Sequence, residues 1–255
     1  MSPQAVDAIT TLWIWPSGLF PRRLIYYFRA KGITLSLLKE RNIRLVPVEL
    51  VTSPPALQSM SGHESRPADS SLPILRIERS DRCTIWIRES LSILEYFEEL
   101  FPSSAGFRDL KGESIEQRAQ TRDILSLLAD AVHWSLVSLI HTVPFTQMFS
   151  GLSDEQMSST AAENAERKLQ FLLNRLGQWV EDDIVNGRMG NVTLASLALL
   201  AQVEYTEMVY GTDWVAEHGV LRLWIDQMKG EGWYANNEQL KSIEKGSGWN
   251  ALLAD

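Results

Sequence analysis

The sequence has few of the features that mark secreted or membrane proteins. Its 255 residues include a single cysteine, Cys83, so no internal disulfide can form and a reducing compartment such as the cytoplasm fits best. The N-terminal residues lack the basic region and the small-residue cleavage site of a signal peptide. No apolar run is long enough to span a bilayer, so no membrane partner is expected.

Basic residues and histidines are also scarce. Lys and Arg number 24 against 32 Asp and Glu, which leaves a net charge of −8. Such an acidic chain has no electrostatic footprint for nucleic acid. His133 and His141 share a predicted helix, but no acid or cysteine joins them, so no metal site is expected. With 45% apolar residues, the chain can bury a sizeable core.

The first part of the chain predicts a mixed α/β arrangement. Residues 9–15 and 43–51 are rich in β-branched and aromatic residues and predict strands, and Pro47 in the second run suggests an edge strand. A helix is predicted between them, with Pro21 as its first helical position, followed by a second helical stretch from Ile33. Because a helix connects the two strands, they are predicted to be parallel.

The next part predicts a loop, a hairpin and a helix. Residues 52–71 are rich in Ser and Pro and are interpreted as a loop. Two alternating strands flank the polar turn 79–82, which predicts an antiparallel hairpin with Cys83 buried on its second strand. The segment 89–102 has a helical apolar stripe that ends at Pro102.

The second half of the chain shows almost only helical periodicity. Residues 103–113 have a linker composition, which predicts one domain over 1–102 and another over 114–255. Four helices are predicted in the second domain, over 114–142 and 160–182, from 191 onward, and over 219–229.

Four pieces in this order resemble the cytosolic glutathione transferase family. They are "GLFPRRL" (18–24), "LPIL" (72–75), "ESLSILEYFEELFP" (89–102) and "GNVTLASLALLAQVEY" (190–205), and the resemblance to which they belong extends over nearly the whole chain. The resemblance implies an α+β protein in which a thioredoxin-like βαβ–ββα domain precedes an all-α helical domain. It also implies glutathione as the cofactor and a homodimer in the cytoplasm.

The last of these pieces departs from the family pattern. Thr193 fits the N-cap of the family's folding motif, but Ser196 and Asn191 stand where Asp is usual. Ser can still bond locally, though more weakly. The segments "ITLSLLKERNI" (33–43) and "YGTDW" (210–214) are most similar to fungal transferase-like proteins, several of which serve natural-product pathways.

The resemblance assigns two anchors for glutathione. Glu89 would pair with the ammonium of its γ-glutamyl end, while Ser90 and the free N–H groups of the following helix would hold the carboxylate. A Ser at this position can instead serve only as a helix cap. At the second anchor, the Leu72–Pro73 bond would be cis, and the backbone of Leu72 would pair with the cysteine of glutathione; a trans proline opening a strand is the alternative.

The glycine end of glutathione has a less direct assignment. The family commonly uses a Lys or Gln in the loop before the cis-proline, where this sequence has Ser71. Arg66 and His63 are the nearby substitutes, and solvated loop side chains are the alternative interpretation. Arg22 and Arg23 are interpreted as structural, with their aliphatic stems packed along the helix.

The corner at residues 15–24 is where the family activates the thiol of glutathione. A hydroxyl donor and a helix N-terminus both lower a thiol pKa. Three interpretations stay open: Ser17 donates to the thiolate, backbone N–H groups at Gly18 and Leu19 do so, or no group does. Pro21 lacks an N–H, which weakens the second interpretation.

The resemblance implies an enzyme that uses glutathione against an electrophilic small molecule. The product is a conjugate, or an isomerised alkene after reversible thiol addition. The electrophile is expected between the domains, against Phe20, His133 and Trp134. The alternative is a non-catalytic protein of the same fold with a binding or regulatory role.

Overall fold

The computed structural model describes residues 8–52, 55–68, 70–146, 150–185, 192–243 and 249–254. The chain forms two compact units, one of residues Met1–Leu110 with Glu231–Asp255 and one of residues Lys111–Gly230. The boundary after Leu110 falls inside the predicted linker. Residues 231–255, which the sequence placed with the helical domain, group with the first unit.

Five strands and nine α-helices are described. The strands are β1 (Ile9–Ile14), β2 (Ile43–Thr52), β3 (Pro55–Ser59), β4 (Ile74–Glu78) and β5 (Thr84–Ile87). The helices are α1 (Leu19–Lys31), α2 (Leu35–Glu40), α3 (Ser90–Leu100), α4 (Ile115–Ile140), α5 (Ser159–Val185), α6 (Leu194–Tyr210), α7 (Gly219–Lys229), α8 (Asn237–Ile243) and α9 (Trp249–Leu252). Short 3₁₀ turns lie at Ser103–Ala105, Pro144–Thr146 and Asp154–Gln156.

The strands form one sheet in the order β3-β2-β1-β4-β5. The β1–β2 pair is parallel and the β4–β5 pair is antiparallel, which confirms both predicted pairings. The prediction of a loop over 52–71 is wrong at β3, which pairs with β2 from Val48↔Ser59 onward. Consequently β2 is not an edge strand. Pro47 is tolerated because it lies just outside the β3 pairing, where its carbonyl accepts a hydrogen bond from the Met60 N–H.

The hairpin turn places Cys83 differently from the prediction. Cys83 precedes β5 and is exposed rather than buried on a strand. Its N–H donates to the Asp81 carboxylate at 2.9 Å, and Arg82 adopts a positive φ of 66°. The pairing with β4 begins at Thr84, so the turn extends one residue further than the alternation of apolar and polar residues predicted.

Helix α1 begins earlier than predicted. Gly18 is its N-cap, and the first helical hydrogen bond runs from the Arg22 N–H to the Gly18 carbonyl at 3.0 Å. Pro21 is therefore the third helical residue rather than the first. Its missing N–H costs nothing there because the first N–H groups of a helix have no partner within the helix.

A buried ion pair joins α1 to α3. The Lys31 ammonium lies 2.6 Å from the Glu98 carboxylate, and both side chains are almost fully buried. Lys31 also donates to the Arg108 carbonyl, and Glu98 accepts from the Leu110 N–H. Between the same two helices, Phe28 and Phe97 pack edge to face with ring centroids 5.2 Å apart. The two helices that begin at the predicted site residues are thus held at their far ends.

The C-terminal segment is attached to α1 and α2 by hydrogen bonds. Arg29 donates to the carbonyls of Trp233 and Leu252, each at 2.5 Å. The Leu35 N–H donates to the Leu253 carbonyl at 3.0 Å. These bonds use backbone acceptors, which no side-chain pattern in the sequence reveals.

The second unit consists of helices α4 to α7. Ser114 caps α4 in a reciprocal capping box with Gln117, and Thr193 caps α6 in the same way with Ser196. The second box confirms the predicted N-cap and shows that Ser196 can replace the usual acid. Asn191 lies outside the described residues.

Helix α4 differs from the expectation that no segment is long and apolar enough to span a bilayer. It is long and apolar enough to cross a membrane by length and composition alone, although no such segment was expected. Its apolar residues such as Leu128 and Val132 are buried in the unit. A core helix of a soluble protein satisfies the same criterion, so this finding is weak evidence for a span.

Candidate functional site

The N-terminus of α3 carries the predicted anchor residues. Glu89 is the N-cap residue, and its side chain makes no capping hydrogen bond; Ser90 is the first helical residue. The Glu89 side chain is exposed, whereas Ser90 is 5% exposed. The interpretation of Ser90 as the helix cap is therefore wrong, because Glu89 occupies that position. An acid and the free N–H groups of a helix start stand side by side here.

Arg23 reaches this helix start from α1. Its Nη1 lies 3.4 Å from the Ser90 Oγ, and its guanidinium carbon lies 5.0 Å from the centroid of the Phe20 ring. The residue is 5% exposed, and burial lowers its pKa to about 10. Its Nε has no hydrogen-bond partner. The interpretation of Arg23 as a packing residue missed this contact, because nothing in the sequence relates positions 23 and 90.

The second predicted anchor has the expected backbone form. The Leu72–Pro73 peptide bond is cis, which confirms the prediction from the resemblance. The Leu72 side chain is 7% exposed and belongs to a hydrophobic cluster with Trp13, Val48 and Ile74. Packing of this side chain places the segment at the start of β4.

Arg66 holds the loop before the cis-proline. Its Nε donates to the Leu57 carbonyl at 2.7 Å, and its Nη1 donates to the Ser70 carbonyl at 2.6 Å. The guanidinium is therefore bound to the protein's own backbone, and the interpretation as a freely solvated side chain is wrong. His63 is exposed in a turn in which its N–H donates to the Met60 carbonyl.

A second arginine supports the same loop and was missed by the sequence interpretation. Arg76 on β4 binds both carboxylate oxygens of Glu64, at 2.6 and 3.0 Å. Its guanidinium lies 5.1 Å from the Trp13 ring and 5.8 Å from the Trp86 ring. Trp13 also donates to the Glu64 carbonyl. The alternation of β4 was the available signal, since Arg76 interrupts a run of buried apolar residues.

The corner before α1 uses several of its polar groups internally. The Gly18 N–H donates to the Trp15 carbonyl at 2.9 Å, so the predicted role of this N–H toward a thiolate is wrong. The Ser17 carbonyl accepts from Arg22 at 2.9 Å, and Ser17 is 3% exposed. Leu19 is the first residue of α1, where N–H groups lack helical partners. Ser17 and Leu19 stay candidate donors.

Gly18 is required at this corner by a close approach. A Cβ atom built there would lie 2.7 Å from the Trp15 indole and 3.1 Å from the Trp15 carbonyl oxygen. The backbone φ of −66° is open to any residue, so the contact and not the conformation excludes a side chain. Glycine is thus explained by packing at this position.

The predicted electrophile residues belong to both units. Phe20 lies on α1 beside Arg23, whereas His133 and Trp134 lie on α4. His133 is exposed, and its ring packs edge to face on Trp134 at 5.7 Å. Trp134 lines a groove of about 530 Å³ whose other walls are residues of α5, among them Phe171. The structure therefore gives Trp134 a surrounding that the sequence did not indicate.

Comparisons with known proteins identify the architecture. The sequence matches no protein-family model and no curated protein. A glutathione S-transferase from Methylobacillus flagellatus, solved with glutathione bound, is 16% identical, with a TM-score of 0.60 over 88% of this chain and 96% of that one.

Two further solved structures agree. Maleylacetoacetate isomerase from Anaeromyxobacter dehalogenans, with glutathione in its active site, is 19% identical, with a TM-score of 0.60 over 95% of this chain and 99% of that one. Glutathione transferase F7 from Populus trichocarpa is 15% identical, with a TM-score of 0.58 over 93% and 99%. The predicted α+β fold class is confirmed: this chain has the glutathione transferase fold.

Proposed function

We propose that this protein is a glutathione-dependent enzyme that acts on an electrophilic small molecule. The observation that carries the proposal is the set of polar groups at the start of α3. An exposed carboxylate, Glu89, adjoins the N–H groups and the Ser90 hydroxyl of a helix N-terminus. An α-amino acid has an ammonium and a carboxylate on one carbon, and this pair of groups complements both charges. The γ-glutamyl end of glutathione has that chemistry.

The residues of this chain would bind and orient the tripeptide. Glu89 would accept from the ammonium, and Ser90 with the first N–H groups of α3 would donate to the carboxylate. The backbone of Leu72 would pair with the middle of the peptide, and Arg66 would hold the loop that positions Leu72. Of the residues proposed for the glycine end, exposed His63 is the more available one, because Arg66 already binds two carbonyls.

When bound, glutathione supplies a thiol that can add to an electrophile. The start of α1 would stabilise the ionised sulfur, since a free thiol has a pKa near 8.5 and is mostly protonated at neutral pH. A helix N-terminus contributes about 0.3–1 kcal/mol, which is less than about one pKa unit. A hydroxyl is the natural supplement, and Ser17 is proposed for that role. Leu19 is the remaining backbone donor, since the Gly18 N–H is bound to Trp15.

A second function is favoured by the polar groups of the corner before α1. Ser17 is 3% exposed and the Gly18 N–H is engaged, so few groups at the corner are ready to activate a thiol. A protein that binds glutathione without turning over a substrate would need only the α3 anchor. The binding or regulatory role is therefore the alternative, and kinetics separate the two.

The wider setting of the enzyme is proposed on the resemblance. Conjugation and isomerisation of an alkene both use the same thiol, and the electrophile would contact Phe20, His133 and Trp134. A cytoplasmic homodimer is proposed, with exposed Ile115 on α4 among the residues that dimerisation would cover. A role in fungal natural-product metabolism is proposed on the similarity of the segments 33–43 and 210–214.

The proposed function is tested by calorimetry and turnover on matched variants. Glu89→Gln removes the partner of the ammonium and should weaken glutathione binding about ten- to a hundredfold, since a hydrogen bond to a charged group contributes roughly 1.5–3 kcal/mol. Glu99→Gln, near the other end of the same helix, is the control and should bind like the parent. Turnover of a generic electrophile by the parent supports the enzyme; binding without turnover supports the alternative. Equal affinities of parent and Glu89→Gln would refute the site.

A further inference from the structure

We propose that Arg23 is a specificity-determining residue of the α3 site, whose guanidinium receives the carboxylate of the ligand's amino-acid end. This inference rests on the proposed function and goes beyond it. It adds a buried cation to the neutral donors of the anchor, which are the Ser90 hydroxyl and the first N–H groups of α3. It predicts that the site selects ligands with a free α-carboxylate beside the ammonium.

The geometry places Arg23 at the helix start. Its Nη1 lies 3.4 Å from the Ser90 Oγ, so the guanidinium lies against the first residue of α3. If the Ser90 oxygen accepts from Arg23, its single O–H proton is left to donate elsewhere. A carboxylate at the helix start would accept from that hydroxyl, from the helix N–H groups and from the guanidinium together.

The burial of Arg23 favours an anionic ligand beside it. The residue is only 5% exposed, and its Nε has no hydrogen-bond partner. Burial alone lowers its pKa, and no carboxylate among the described residues counteracts that effect. A buried charge without a partner is costly, and proteins rarely retain one without use. A ligand carboxylate would supply the counter-charge and a match for the guanidinium fork.

The other arginines of α1 provide a comparison within one helix. Arg22 donates to the Ser17 carbonyl and the Asn237 side chain. Arg29 donates to backbone carbonyls of the C-terminal segment. Both guanidinium groups therefore have structural partners, whereas the described contacts of Arg23 are the Ser90 hydroxyl and the face of Phe20. A purely structural role accounts for the first two arginines and leaves the Arg23 Nε without an acceptor.

The test combines one substitution in the protein with the removal of one carboxylate from the ligand. Calorimetry measures the affinities of parent and Arg23→Met for glutathione and for γ-aminobutyryl-cysteinyl-glycine, which lacks only the α-carboxylate. The parent should prefer glutathione by about a hundredfold, and Arg23→Met should reduce that preference at least about tenfold while leaving the affinity for the analogue almost unchanged. Arg29→Met removes another guanidinium of α1 and should keep the parent's preference.

Each other outcome has a defined meaning. If Arg23→Met weakens both ligands equally, Arg23 only supports the fold and this inference is refuted, while the proposed function stands. If the parent binds neither ligand, the proposed function fails and the inference fails with it. If circular dichroism shows that Arg23→Met is unfolded, Arg23→Lys carries the same comparison. Lysine retains the positive charge but lacks the paired N–H donors of the guanidinium. An intermediate preference for glutathione over the analogue therefore supports the inference, and an undiminished preference refutes it.

Discussion

Substitution of Lys31 by methionine measures how strongly α1 and α3 are held together. The Lys31 ammonium lies 2.6 Å from the Glu98 carboxylate, with side-chain exposures of 0% and 1%. It also donates to the Arg108 carbonyl and lies 5.6 Å from the centroid of the Tyr27 ring. Methionine has a similar length and no charge, so the substitution leaves the Glu98 carboxylate buried without its cation.

The expected loss of stability is large for a single substitution that changes the size of the side chain so little. Removal of one partner of a buried ion pair costs about 3–5 kcal/mol, and a chain of this size loses roughly 2–4 °C in melting temperature per kcal/mol. Lys31→Met should therefore melt about 10 °C below the parent at pH 7 by differential scanning calorimetry. The double variant Lys31→Met with Glu98→Gln removes the stranded charge and keeps an acceptor for the Leu110 N–H. It should recover at least half of the loss.

The pH dependence of the loss follows from the sign of the pKa shift. Burial raises the pKa of Glu98 even though Lys31 acts to lower it, and without Lys31 the shift is larger. An acid whose pKa is raised by folding binds protons more tightly in the folded state, so stability falls as pH rises through that folded pKa. The deficit of Lys31→Met should thus be greatest at neutral pH and should shrink toward pH 4.5.

A more exposed pair on the second unit is the control. Arg222 and Asp213 form an ion pair with side-chain exposures of 30% and 34%, so Arg222→Met should cost only about 1 kcal/mol or less. If Lys31→Met costs no more than Arg222→Met, or if the double variant recovers nothing, the reasoning from a stranded buried charge is refuted.

Four further outcomes are expected. If Ser17 donates to the thiolate, Ser17→Ala should lower turnover near neutral pH about tenfold, with a loss that shrinks at high pH; an unmoved pH–rate profile would assign the role elsewhere. Gly18→Ala should destabilise the protein by about 1–3 kcal/mol in thermal unfolding, because its Cβ would meet Trp15; unchanged melting would contradict this contact. Burial lowers the pKa of His218, so the unfolded state binds the proton first and stability falls as pH drops below about 6.5. Thermal unfolding of His218→Asn at pH 7.5 and 5.5 should show a smaller fall than the parent, and an equal fall would exclude His218 as its source. Light scattering at micromolar concentration should give a dimer, and a monomer would contradict the proposed assembly.

The elements that depend on near neighbours were determined by the sequence. The apolar periods of α4 and α6 and the N-cap Thr193 predicted helices where the structure has them, and both Ser114 and Thr193 cap by contacts three residues away. The alternation around the turn at 79–82 likewise predicted the β4–β5 hairpin. Such features are readable because propensity, capping and turn chemistry act between residues close in the chain.

Tertiary structure decided the features that join distant positions. β3 lies in a Ser- and Pro-rich stretch and becomes a strand because the open side of β2 offers it hydrogen-bond partners. Arg66 is recruited by the backbone carbonyls of Leu57 and Ser70, which carry no sequence signal. Arg23 meets Ser90 across 67 positions of chain, through the packing of α1 and α3. A site made of backbone groups and of side chains far apart in sequence exists only once the sheet and these helices bring its parts together, because neither position encodes the identity of its partner.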